Sequence, residues 1–68
     1  MTFTEKSMHR IEHWLKHNEV HLHEYEKFAY ELELAGEVES ALQIRKVASL
    51  TGQATRHLDN ALRSLVSA

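Results

Sequence analysis

Apolar residues recur in the first half of the chain at alternating steps of three and four: Met8, Ile11, Leu15, then Leu22, Tyr25, Ala29 and Leu32. Asn18 holds the one polar place in this seam. The pattern is the 3.5-residue repeat of helices packed in an antiparallel bundle or coiled coil. A flanking column of Trp14, His21, Phe28 and Ala35 widens the apolar face to one side. A helix with so wide a face needs more than one partner. A second seam runs Ala41, Ile44, Ala48, Thr51, Thr55, Leu58, Leu62, Leu65. It keeps its phase across Gly52, so the spacing predicts one helix there rather than two, despite the ~1 kcal/mol cost of a glycine.

The ends of these helices are marked. Thr2-Phe3-Thr4-Glu5 has the form of a capping box, which starts helix 1 near residue 3. Gly36 supplies a left-handed C-cap, and Glu37 and Glu39 suit the first turn of a second helix. The expected fold is therefore all-α: helix 1 over about 3–35, a turn at 36, and helix 2 over about 37–66, forming one antiparallel hairpin domain across 1–68. Folding the seams about Gly36 pairs Ile11 with Leu62, Leu15 with Leu58, Leu22 with Thr51 and Ala29 with Ile44. Asn18 then meets Thr55 in a polar layer. Helices of about 30 residues give a hairpin about 45 Å long. Two helices cannot cover faces this wide, so a two-fold homodimer making a four-helix bundle is the expected completion.

Composition narrows the picture. Sixty-eight residues bury only a thin core, and with no cysteine the chain has no disulfide to reinforce it. Self-association or a metal remains. The net charge is −2, and acidic and basic residues are interspersed. The layout is similar to that of dimeric helical-hairpin RNA-binding proteins of the Rop type, but the basic stripe of a nucleic-acid surface is missing. No membrane span and no signal-peptide pattern are present, so a cytoplasmic location is expected, with no membrane partner. There is no Glu-x-x-His, as a di-iron carboxylate site would need, and no Ser/His/Asp, Cys/His or phosphate-loop pattern. An enzyme is not expected.

The candidate chemistry lies in the histidines. His9, His13, His17 and His21 are spaced four apart, and two imidazoles at that spacing can chelate one divalent metal. The ladder drifts by roughly 40° per step at ~100° per residue, which carries it from the outer surface at His9 to the edge of the seam at His21. His17 and His21 are the pair expected to face protein. If a dimer axis crosses helix 1 near its middle, at Glu19, each pair approaches its copy and four nitrogens surround one point. That donor set suits a divalent transition metal, whether zinc, nickel, copper or iron, with nickel or zinc the expected cofactor. Glu24 is placed to be a further ligand or to fix an imidazole tautomer. The candidate metal residues are thus His17, His21, His13 and Glu24. The competing reading is a structural or protein-interaction module that binds no metal, in which a histidine beside Asn18, Thr51 and Thr55 completes a hydrogen-bonded layer. Trp14 and Phe28 read as interface core rather than a ligand cage. His23, among Glu12, Glu19 and Glu26, reads as a solvated charge partner, and His57 lies off its seam.

The run His13-Trp14-x-x-His17-Asn18-x-x-His21, followed by Tyr25-x-x-Phe28-Ala29 and the turn at Gly36, resembles a family of small helical-hairpin domains. That family carries an H-W-x-x-H-N-x-x-H signature and occurs alone or beside nickel-binding CooT-type modules. The resemblance covers about residues 9–66. It implies metal association, with His13, His17 and His21 as the signature histidines and Trp14 and Asn18 beside them.

Overall fold

Thr2 opens the fold with the expected box. Its hydroxyl accepts from the Glu5 backbone N–H at 3.1 Å, and the Glu5 carboxylate accepts from the Thr2 N–H at 3.4 Å. In this computed structural model, which describes residues 1–67, helix α1 spans Phe3–Leu34 and helix α2 spans Val38–Val66. The turn is three residues long, so each helix stops one residue short of its expected boundary there. The cause is the cap itself. The Gly36 N–H donates to Glu33 and the Glu37 N–H donates to Leu32, the paired bonds of a Schellman motif. Ala35 and Glu37 are used up in flanking it. Gly36 has φ +83°, a left-handed value that glycine reaches without a Cβ penalty.

Helix α2 runs unbroken through Gly52. A Cβ built there meets nothing within 4 Å. We expect Gly52→Ala to be neutral or stabilising by up to about 1 kcal/mol, through helix propensity alone. Thermal melts of the two proteins at matched concentration check this. A larger loss would mean that another backbone approaches that point.

Every predicted seam residue of both helices is buried or half-buried, and among the described residues only Ser7, Gly52 and Asp59 join them from outside the seams. Among the described residues the buried ones are Ala29, Ala41 and Ala48, all in the half of the hairpin near the turn. Small layers thus lie toward the turn and large ones toward the open end. In the middle, the Thr51 hydroxyl donates to the Val47 carbonyl at 2.8 Å and the Thr55 hydroxyl to the Thr51 carbonyl at 2.9 Å. Both threonine hydroxyls are thus satisfied within α2. Among the described residues no histidine hydrogen-bonds to either of them within the chain.

The two edges of the hairpin differ sharply. On one, α1 presents a glutamate every seven residues, Glu5, Glu12, Glu19, Glu26 and Glu33, and Glu33 pairs with Arg45 of α2. That pairing places the Arg45 column of α2 on the same edge. The other edge carries Trp14, His21 and Phe28 from α1. Phe28 shares a groove there with Ser40 of α2, so Val47, Ala54 and Ala61, at seven-residue steps from Ser40, belong to it as well. Neither column of this second edge holds an Asp, Glu, Lys or Arg, and Glu39 lines the same groove from beside the α2 column.

The hairpin is elongated, 51 × 16 × 11 Å, with a Cα radius of gyration of 15.6 Å. A compact chain of this length would have about 11 Å. Its accessible surface is 5322 Å², against about 4,400 Å² for a typical folded monomer of this mass. The excess, about 900 Å², is close to what one partner of a standard interface buries.

Candidate functional site

The i, i+4 spacing on an uninterrupted helix puts the candidate imidazoles in one file. The rings of His13 and His17 have centroids 4.3 Å apart, and those of His17 and His21 are 6.2 Å apart. The ring of Tyr25 continues the file, stacked on His21 at 6.1 Å with an interplanar angle of 20°. An open groove of about 460 Å³ is lined by His13, Lys16, His17, Val20 and His21. Lys16 and Val20 were not singled out by sequence reasoning. Their signal was present, since both sit three or four residues from the histidines they neighbour.

Glu24 lies beside the file. Its Oε2 is 3.4 Å from His21 Nδ1, a long hydrogen bond across one helical turn. When Nδ1 donates to that carboxylate, Nε2 carries the free lone pair and is the atom available to a metal. Of the two roles expected for Glu24, this geometry matches the orienting one. His9 has an equivalent but looser contact, 3.8 Å to Glu12. His17 and His21, expected to face protein, are exposed in the single chain, as are His13, His23 and His57. Trp14 and Phe28, expected as interface core, are 47% and 49% exposed.

Among the described residues of one chain, no group of three or more His, Cys, Asp or Glu side chains is arranged to hold a metal ion. His13, His17 and His21 rise along one helix instead of converging. A tetrahedral site needs ligands from two sides of the ion, and the lining of this groove comes from α1. Among the described residues, no helix is long and apolar enough to cross a membrane.

These features define a small all-helical hairpin domain with a histidine file on its first helix and one edge whose two central columns carry no Asp, Glu, Lys or Arg. The chain belongs to the DUF8180 family, a domain of unknown function, whose profile matches residues 8–65. The matched span begins and ends on the first and last seam residues, Met8 and Leu65. No curated protein and no solved structure matches the chain.

Proposed function

We propose that the protein is a homodimeric four-helix bundle that binds a divalent transition metal, nickel or zinc, through histidines of both copies. Storage, sensing or delivery is the role, not catalysis. The observation that carries this reading is the groove on α1, where the imidazoles of His13, His17 and His21 stand in file beside Glu24. One file offers two nitrogens to an ion, and a second copy brought against it supplies two more. The resemblance to hairpin domains found beside nickel-binding modules points to the same chemistry. His17 and His21 are the ligands in this reading, His13 extends the file, and Glu24 fixes the His21 ring. The Lys16 ammonium, on a long flexible stem, turns out to solvent.

Equilibrium dialysis against Ni²⁺ or Zn²⁺ followed by elemental analysis tests the proposal. We expect about one ion per two chains, as the four-nitrogen site requires. Loss of an orienting group around a metal ligand costs roughly 10–100-fold in affinity. Removing two ligands in His17→Ala, His21→Ala should therefore cost more than about a hundredfold. Unchanged affinity in that double variant would exclude these residues as ligands. No binding by the wild type would leave the interaction-module reading in its place.

A further inference from the structure

Resting on the dimeric part of that reading, we infer that the second copy docks on the Trp14 edge with α1 against α1, antiparallel, about a two-fold axis at the level of Glu19. Like charge disfavours the opposite edge, where self-association would set two glutamate columns together. The Trp14 edge carries no such penalty.

The register follows from the seven-residue spacing. With the axis at Glu19, residues equally far before and after it share a level. Trp14 of the second copy then comes level with Glu24, in the gap between His21 and Phe28 on the facing column. The six large side chains of the two columns interleave at alternating steps of four and three, the spacing of knobs entering holes. The same axis lies close to the middle of α1, Phe3–Leu34, so maximum overlap and best interleaving coincide. On α2 the facing residues are Val47, Ala54 and Ala61, small enough to let those helices close beneath.

A second column, on the outer rim of the same edge, selects this arrangement over its rival. It runs Arg10, His17, Glu24, Glu31. Among the described residues, Arg10 and Glu31 have no ion pair within the chain. Reflection through Glu19 puts Arg10 of the second copy level with Phe28, between Glu24 and Glu31. It also puts His17 level with His21, which assembles the four imidazoles. In the rival two-fold dimer, α1 lies over α2 of the second copy. The rim column of α1 then meets Gln43, Leu50, His57 and Ser64, where no carboxylate awaits Arg10 and no arginine awaits Glu24 or Glu31.

Two measurements on metal-free protein test this. The chain has no cysteine, so a spin label on Lys6→Cys is unique. At 1.5 Å per residue the antiparallel arrangement separates the two labels by about 40 Å, whereas the rival places them at one level within about 25 Å. Arg10→Glu should weaken association roughly tenfold or more through like-charge contact, and so should Glu24→Arg, Glu31→Arg. Mixing the two variants should restore assembly, since each reversed charge then meets its opposite. A pulsed dipolar distance near 40 Å together with rescue in the mixture supports the inference. A short distance, or variants that associate as tightly alone as mixed, overturns the arrangement and leaves the dimer standing. Absence of any label pair, with a monomer in sedimentation, overturns the dimeric reading beneath it.

Discussion

Trp14→Ala should convert the assembly to monomer at concentrations where the wild type is dimeric. Trp14 is 47% exposed in the single hairpin, so much of its surface is available to a partner. A tryptophan that anchors an interface costs about 2–4 kcal/mol when truncated, or roughly 30- to 1000-fold in association. Each dimer contains two such residues, so the loss is felt twice. Sedimentation equilibrium on the two proteins reads it directly. Phe28→Ala should act in the same direction, because it removes the wall of the gap that Trp14 enters.

The control is another exposed aromatic residue, on another face. Tyr30 is 60% exposed and stands two positions beyond Phe28, which on a helix turns it through about 200° from that column. Tyr30→Ala should leave association within about a factor of two, as expected for a surface change away from any contact. Equal weakening by both substitutions would mean that general loss of helix stability, and not a specific edge, drives the effect. A wild-type monomer that stays well folded under dilution would remove the basis of the prediction altogether.

The sequence made the hairpin readable because a heptad seam is a one-dimensional record of a three-dimensional face. Each seam residue from Met8 to Leu32 and from Ala41 to Leu65 is buried or half-buried for the reason its spacing gave. Thr2 with Glu5, and Gly36, were readable because caps need particular side chains at fixed offsets. The turn was misjudged by a residue on each side because a Schellman motif takes two residues beyond the helix to close its bonds. The bonding of the polar layer was not legible for a different reason. A threonine at a seam position can bond across to another helix or back to its own carbonyls, and periodicity does not distinguish these. Thr51 and Thr55 bond back. For the histidines, spacing located the file but not the ring positions, which rotamers decide. His13 and His17 approach more closely than His17 and His21, a difference the even four-residue spacing does not carry.

Metal should raise the melting temperature of the dimer, and acid should abolish the effect. An ion that binds only the folded assembly stabilises it by about 2.7 kcal/mol at a free concentration one hundred times the dissociation constant. For a dimer of this size that corresponds to a shift of roughly 10 °C. The shift should grow with the logarithm of metal concentration. Ligand nitrogens must be unprotonated, so protons compete with the ion, and the gain present near pH ~7.5 should shrink as pH falls and vanish by about pH 5. The sign follows because only the neutral imidazole binds. Glu24→Gln should retain a reduced shift, since His21 keeps its nitrogen and loses only the carboxylate that orients it. His23→Ala should keep the full shift, because His23 stands two residues past His21 and turns away from the groove. His17→Ala, His21→Ala should show none, compared at a concentration where sedimentation finds that variant dimeric. A shift that persists in the double variant would place the ion elsewhere on the surface. A shift indifferent to pH would show that imidazoles are not the ligands.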